Sequence, residues 1–276
     1  MTKTAAPMTS GSIWKQMTFF AMPIFLGNLF QQLYNTVDSL IVGNFLGSSA
    51  LAAVSSSGSL IFMLIGFLSG ISAGAGVIVA RFFGAGDEKN LQRAVHTTVA
   101  FGLVAGVLMT GVGVALSPQI LRWMDTPESV MRESVTYLQI YFAGSLGFVM
   151  YNVLVGILQA VGDSRHPLYY LIVSSVINLV LDLLFITGFH TGVGGAAVAT
   201  VISQIVSALL CFWQLLRTKE SYGLKIRKIR FDKGILVQII KIGLPSGVQN
   251  SIIAFANVVV QSNINAFGPT AMAGCG

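Results

Sequence analysis

The sequence predicts an all-helical membrane protein: a bundle of six transmembrane helices, one half of a two-lobe, twelve-helix architecture, followed by the first helix of the second lobe. Composition predicts the membrane environment, because 54% of the 276 residues are hydrophobic and only 9% are charged, whereas about 25% of a soluble domain is charged. Seven long apolar segments predict the helices. A repeat of the first segment near the C-terminus predicts the second lobe.

The seven apolar segments are each long enough to cross a bilayer as a helix. A helix rises about 1.5 Å per residue, so roughly 20 residues cross the hydrocarbon core. The strands of a membrane barrel need only about ten residues and alternate apolar with polar positions, a pattern that these segments lack. The predicted spans cover residues 13–43, 50–80, 91–116, 135–159, 168–189, 194–216 and 235–267.

The basic residues between the spans predict the orientation. With the N-terminus in the cytoplasm, all of the 16 Lys and Arg residues except Arg122 and Arg132 lie on the inner side, as the positive-inside rule requires. The net charge of +6 then does not indicate nucleic-acid binding. The run KIRKIR at 225–230 is instead predicted to form an inner loop suited to contact with anionic lipid. The predicted regions are a cytoplasmic tail (1–12), a six-helix lobe (13–217), a basic cytoplasmic linker (218–234) and the first helix of the second lobe (235–276).

Of the 10 acidic residues, only Asp38 and Asp182 lie inside spans. An ionisable group at membrane depth is costly, so it normally faces a protein interior or a wet cavity. Because no Lys or Arg is buried in a span to neutralise this pair, a proton or a metal cation is the expected counter-charge. A carboxylate that takes up and releases such a cation is the physical requirement of an ion-coupled carrier.

Polar residues surround both aspartates at helical spacing. In the fifth span Asn178 lies one turn before Asp182, within hydrogen-bonding reach of it. The amides could instead serve only as hydrogen-bonding groups between helices, which are common in bundles, and this alternative stays open. The polar residues that share one face of the first span are Asn28, Gln31, Asn35, Asp38 and Ser39.

The first span is repeated near the end of the chain. The segment PIFLGNLFQQLYNTVDSLIVGNFLGSSALAA from Pro23 aligns with PSGVQNSIIAFANVVVQSNINAFGPTAMAG from Pro245, so that Asn28 meets Asn250 and Val260 takes the place of Asp38. Six spans separate the two copies, and because six is even both copies cross in the same direction. Such a parallel repeat is an architecture of secondary transporters with a central cavity. It predicts a truncated chain that stops one helix into its second half.

The residues described so far resemble the multidrug and toxic compound extrusion (MATE) family over nearly the whole chain, from about Ile13 onward. The resemblance covers the N-terminal lobe and the seventh helix of that family. The matching motifs are NxVDSLxVG at Asn35, FLGxxALAA at Phe45, RFFGAGD at Arg81, LQAxGD at Leu158 and NLVLD at Asn178.

The resemblance implies a cation or proton site in the N-terminal lobe. In the proton-linked members that this sequence resembles, one carboxylate in the first helix and one in the fifth form the site, at the positions of Asp38 and Asp182. The polar companions implied by the family pattern are Tyr137, Asn178 and Thr200.

The resemblance also bears on helix bending and on the coupling ion. Pro23 matches a proline where the first helix can bend, since proline removes a backbone hydrogen bond. Gln31, Asn35 and Ser39 are expected to support the site. Some sodium-linked relatives carry a Glu early in the seventh helix, but residues 245–257 hold no acid. The identity of the coupling ion, H⁺ or Na⁺, is therefore left open. For Na⁺ the expected ligands are Asp38, Asp182 and Asn178.

The expected function is a secondary antiporter that exports organic, cationic or amphipathic, compounds in exchange for H⁺ or Na⁺, without a cofactor. The alternative is a flippase of lipid-linked precursors, although such carriers tend to line their cavity with basic residues. An enzyme is not expected, because HExxH, nucleophile-elbow and Walker motifs are absent and His96, His166 and His190 show no partner spacing. We expect a multi-pass protein of the cell membrane that is monomeric at full length, with the bilayer and a small organic molecule as partners and no nucleic acid.

Overall fold

The computed structural model describes residues 12–267, which are helical throughout apart from short connections and contain no strand. Residues 1–11 of the predicted tail and residues 268–276 of the last predicted region lie outside the described part. The helices are α1 (Ile13–Leu46), α2 (Ser48–Gly84), α3 (Glu88–Trp123), α4 (Glu128–Ala143), α5 (Ser145–Ala160), α6 (Arg165–Leu183), α7 (Val193–Arg217) and α8 (Lys233–Asn265). A π-helical turn at Leu184–Gly188 extends α6, and a 3₁₀ turn at Ile226–Lys228 lies in the linker.

These helices supply the membrane spans of a six-helix lobe and one helix beyond it. Five helical segments in the described range are each long and apolar enough to cross a membrane: the second half of α2, α3, α6 with its π-helical turn, α7 and α8. If the bent pair of α4 and α5 is counted as one span, the number is six. The remaining helix, α1, has 34 residues, which exceeds the length of a span. Its sequence carries Asp38 and several amides.

The fourth predicted span, 135–159, is not one straight helix. It divides at Gly144 into α4 and α5, which meet at an angle of 50°, and α4 begins earlier than predicted, at Glu128. The break is a point of close contact, because a Cβ atom at Gly144 would overlap the side chain of Val201 on α7. The fourth span therefore bends where it touches the sixth.

Two of the Gly-Asp motifs start the helices that follow them. Gly86 adopts a φ of 66° after α2, a left-handed conformation that glycine tolerates best. The next residue, Asp87, caps α3 by accepting hydrogen bonds from the backbone N–H of Asn90 (3.1 Å) and from its side chain (2.6 Å). These bonds hold the pKa of the Asp87 carboxyl below its ordinary value. At the start of α6, Asp163 likewise accepts from the backbone N–H of His166 (3.2 Å).

The described interior contains two large apolar clusters and a small third one around Val130. One cluster includes Leu91, Leu154 and Leu215, each almost fully buried, and joins α2, α3, α5, α7 and α8. The other includes Val42 and Leu138 and joins α1, α2, α4 and α7. The two clusters bury opposite halves of the bundle, so α1 is anchored mainly through its C-terminal half.

The eighth helix packs against α2 with almost no side chains between the two backbones. A Cβ atom at Gly70 would overlap the backbone of Gly247, and one at Gly74 would overlap the backbone of Gly243. One turn further, the amide of Asn250 donates to the carbonyl of Gly66 (3.4 Å). Small residues at four-residue spacing permit such close approach in membranes. The α2–α8 contact therefore joins the lobe to the helix beyond it.

The close contact predicts that Gly70→Ala destabilises the protein by about 1–3 kcal/mol, because overpacking a tight interface forces the backbones apart. The measurement is the thermal unfolding midpoint in detergent. Gly111→Ala on α3 is the matched control, because no atom lies within 4 Å of the added methyl group and alanine favours a helix. Equal midpoints for the two variants would contradict the proposed packing.

Candidate functional site: a buried carboxyl pair

The structure brings Asp38 and Asp182 together, although 143 residues of chain separate them. Helix α1 packs against α6, and the two carboxyl groups lie within hydrogen-bonding reach of each other. Asp182 is fully buried. One oxygen of each carboxyl, Oδ1, is buried without a hydrogen-bond partner among the residues that the structure describes. Asp182 is therefore buried and Asp38 half-buried, and the described residues satisfy neither carboxyl completely.

Asn178 connects Asp182 to the neighbouring helices. With its amide oriented to satisfy the surrounding groups, it donates to Oδ2 of Asp182 (2.6 Å). Its oxygen then accepts from the hydroxyl of Tyr34 (3.3 Å) and from the backbone N–H of Thr200 (3.2 Å). The Thr200 hydroxyl donates to the carbonyl of Ala196 within α7 (3.0 Å). One amide thus links α1, α6 and α7 at the carboxyl pair.

Tyr34 is a member of this cluster that the sequence did not single out. It lies one helical turn before Asp38 on α1, and its hydroxyl reaches across to Asn178. The available signal was the four-residue spacing, which places both residues on one helix face. An aromatic residue in an apolar helix is usually a packing residue, so that spacing alone did not distinguish it.

Tyr137 forms part of the wall around the pair. It is 5% exposed, lies close enough to Asp38 to interact with it electrostatically, and stacks on Tyr141 with ring centroids 6.5 Å apart. Both tyrosines belong to α4, the first half of the broken fourth span. The structure therefore gathers all five residues that the family resemblance implied around one point.

The residues on α1 that were expected to support the site differ in their exposure. Gln31 and Ser39 are half-buried, whereas Asn35 is exposed and donates from its amide to Oε1 of the exposed Gln32 (3.4 Å). Asn28 is also exposed. Pro23 lies inside α1, which continues as one helix from Ile13 to Leu46. The polar face of α1 thus runs from the buried pair to an exposed edge.

Neither carboxyl of the pair forms an ion pair with a residue that the structure describes. The ion pairs found within 12–267 are Arg93–Asp232 and Asp163–His166, and neither involves the buried carboxyls. That same range holds no cluster of three or more His, Cys, Asp or Glu side chains suited to a metal. The groups that could hold a cation are therefore two carboxyls and the neutral oxygens of Asn178, Thr200 and Tyr34. Such a set can share one proton, or surround one hard cation with oxygen ligands.

The backbone beside the pair departs from regular α-helix. Directly after Asp182, α6 changes to the π-helical turn Leu184–Gly188. Short π-helical segments are rare and occur frequently at functional sites. The irregular turn therefore coincides with the carboxyl pair on α6.

Comparison with known proteins agrees with this architecture. The MatE family model matches residues 23–184. The probable multidrug resistance protein YoeA of Bacillus subtilis is 34% identical over 96% of this chain and 59% of its own length. The multidrug export protein MepA of Staphylococcus saprophyticus is 25% identical over 96% and 59%. The chain thus spans about three-fifths of the length of these relatives.

A solved structure shows the same helical arrangement. It is an inward-facing conformation of a multidrug resistance MATE family transporter of the MOP superfamily, 28% identical, with a TM-score of 0.81 over 88% of this chain and 56% of that one. The match supports the description of one lobe plus the first helix of the next. Because the family model also covers more than half of the residues, the chain belongs to the multidrug and toxic compound extrusion (MATE) family.

Proposed function

We propose that this chain forms the larger part of an antiporter that exports organic compounds, cationic or amphipathic, in exchange for H⁺ or Na⁺. The observation that carries the proposal is the buried pair of Asp38 and Asp182, which has no basic partner among the described residues. Members of the family are transporters rather than enzymes, and the relatives named above are multidrug resistance and export proteins. No observation favours a flippase of lipid-linked precursors.

The carboxyl pair supplies a switch between two arrangements of α1. Two unit charges about 4 Å apart repel by about 4 kcal/mol at an effective dielectric constant near 20. A proton or a cation between the carboxyls removes that repulsion and holds α1 against α6. Its loss favours a state in which Asp38 moves away from Asp182. Each bound ion therefore shifts an equilibrium between two conformations.

The packing of α1 allows such a movement more readily at one end. Its C-terminal half contributes Ile41 and Val42 to a buried cluster, whereas its N-terminal half carries exposed side chains such as Phe19 and Phe25. Pro23 lies in that less buried half and weakens the helical hydrogen bonding there. We propose that the helix bends near Pro23 when the pair loses its cation.

The direction of transport follows from the proposed orientation. The chain is a multi-pass membrane protein, and we place it in the cell membrane with a cytoplasmic N-terminus because of its basic inner segments. Protonation from outside favours release of the organic substrate, and release of the proton toward the cytoplasm resets the carrier. The full-length protein is proposed to act as a monomer. Because the relatives are longer, transport should be measured in a full-length protein that contains this chain.

Removing either carboxyl charge should abolish coupled export. We expect Asp38→Asn and Asp182→Asn to reduce efflux of a fluorescent organic cation to the background of cells that lack the transporter, because neither variant can bind and release the ion. Asp125→Asn is the control: this exposed residue has a φ of 51°, which asparagine tolerates. Normal efflux by both buried variants would refute the mechanism.

The coupling ion can be identified in proteoliposomes that contain the wild-type protein. Substrate flux is measured with a pH gradient alone, with a Na⁺ gradient alone, and with neither. If the pair shares a proton, the pH gradient alone drives flux; if it binds sodium, the Na⁺ gradient alone does so. In both cases Asp38→Asn should remove the response, and flux that follows a gradient in that variant would place coupling elsewhere.

Tyr34→Phe should impair export without abolishing it. The substitution removes one hydroxyl that donates to Asn178, and a single hydrogen bond contributes about 1 kcal/mol. We expect the rate of ion-driven flux to fall several-fold while protein abundance in the membrane stays unchanged. Tyr169→Phe is the matched control, because that ring is 56% exposed. An unchanged rate in Tyr34→Phe would remove Tyr34 from the proposed site.

A further inference from the structure

The linker between α7 and α8 is fixed to the N-terminal part of α3. His96, which is 3% exposed, accepts from the backbone N–H of Lys225 through Nε2 (3.1 Å) and donates from Nδ1 to the carbonyl of Gln92 (2.6 Å). The side chain of Gln92 donates to the carbonyl of Gly223 (3.1 Å). These bonds hold the first part of the linker on α3.

A second set of bonds fixes the end of the linker. The hydroxyl of Thr97 accepts from the backbone N–H of Asp232 (3.0 Å) and donates to the carbonyl of Arg230 (3.4 Å). Asp232 then caps α8 by accepting from the N–H of Ile235 (3.2 Å). The basic segment is therefore an ordered loop with a defined position.

A groove of about 420 Å³ lies between this loop and α3. Its one acidic side chain, Asp232, pairs with Arg93 at 3.7 Å. None of the other basic side chains takes part in an ion pair within the described range, so the groove has an excess of positive charge. The basic residues that line it are Lys89, Arg93, Arg227, Lys228 and Arg230.

Apolar side chains flank the basic ones and face outward. Ile226 is 60% exposed and Phe231 is 48% exposed, so the loop alternates cationic with apolar groups. Nearby on α7, the guanidinium of Arg217 lies 5.0 Å from the ring centroid of Trp213, which is 51% exposed. Exposed tryptophan beside a basic residue near the end of a span is typical of the membrane–water interface. Because Trp213 and Arg217 lie near the end of α7, where the loop begins, we infer that the groove lies at the level of lipid headgroups.

We propose that this groove binds the phosphate group of an anionic phospholipid, with the glycerol and acyl chains lying toward Ile226 and Phe231. Basic residues attract anionic lipid at a membrane surface, and exposed apolar residues among them enter the boundary of the acyl region. A soluble phosphate would use the charges but would leave both apolar side chains in water. This site is independent of transport, because it requires only that the loop face the membrane surface.

A lipid in the groove would bridge two parts of the molecule. Lys89 and Arg93 belong to α3 in the lobe, whereas Arg227 and Arg230 belong to the loop that leads into α8. A phosphate held by both sets reduces their mutual repulsion and fixes the loop more firmly. Bound anionic lipid should therefore raise the thermal unfolding midpoint of the purified protein.

Native mass spectrometry of the delipidated chain tests the proposal with phosphatidylglycerol, phosphatidylcholine and glycerol 3-phosphate as probes. We expect phosphatidylglycerol to be retained in preference to the other two. Arg227→Gln/Arg230→Gln should weaken its binding about 30-fold, through the loss of two basic contacts. Lys15→Gln/Lys241→Gln removes the same charge at residues that do not line the groove, and it should bind as the wild type does.

Two further variants extend the test, and two outcomes would overturn the proposal. Lys89→Gln/Lys228→Gln removes two other basic residues of the groove and should weaken phosphatidylglycerol binding to the same extent. Agreement between the two double variants would show that the loss does not come from a folding defect in one of them. Ile226→Ser/Phe231→Ser should weaken lipid binding but leave glycerol 3-phosphate unaffected. Equal loss in the groove and control variants would mean nonspecific charge attraction, and equal binding of glycerol 3-phosphate and phosphatidylglycerol would mean a soluble phosphate site; either result overturns the proposal. Because binding is measured without transport, its failure would leave the antiport mechanism untouched.

Discussion

Hydrocarbon cannot hydrogen-bond to a protein, and every helix of this molecule is arranged under that constraint. Backbone N–H and C=O groups at membrane depth must be paired within the chain, which leaves helices as the spanning elements here. The same constraint makes a charged side chain in a span costly. Asp38 and Asp182 lie together inside a cluster of helices, where an amide, a threonine and tyrosines take the place of water as polar neighbours. In the proposed mechanism the pair acts as a switch because the neutral groups around it do not offset a change in its charge.

Two different interactions hold the helix beyond the lobe in place. Within the span region, glycines on α2 and α8 allow backbone contact, so dispersion forces act at short range. At the membrane surface, the bonds from Gln92, His96 and Thr97 fix the loop that leads into α8. The first interaction depends on the absence of side chains and the second on their hydrogen bonds. Together they hold α8 both within the span region and at the surface, where the loop leads into it.

Much of the fold and part of the site could be predicted from the sequence. Span number and the exceptional status of Asp38 and Asp182 follow from the cost of burying polar groups, which depends on residue type and depth alone. The break at Gly144 was not predicted, and the close contact that marks it is with Val201 on another helix. Tyr34 and His96 were missed for the same reason: their partners, Asn178 and Lys225, are distant in sequence. The spacing of residues along the sequence shows which of them share a helix face. Which faces contact each other depends on tertiary packing.

The repeated helix differs from its original in chemistry. After Asp232, α8 contains no acidic residue, and the position aligned with Asp38 holds Val260, which is 58% exposed. A change in ion occupancy at the carboxyl pair would therefore exert an electrostatic force on α1 and no comparable force on α8. In the proposed mechanism, α1 is therefore the copy that moves when the ion leaves, and α8 is the copy that stays in place.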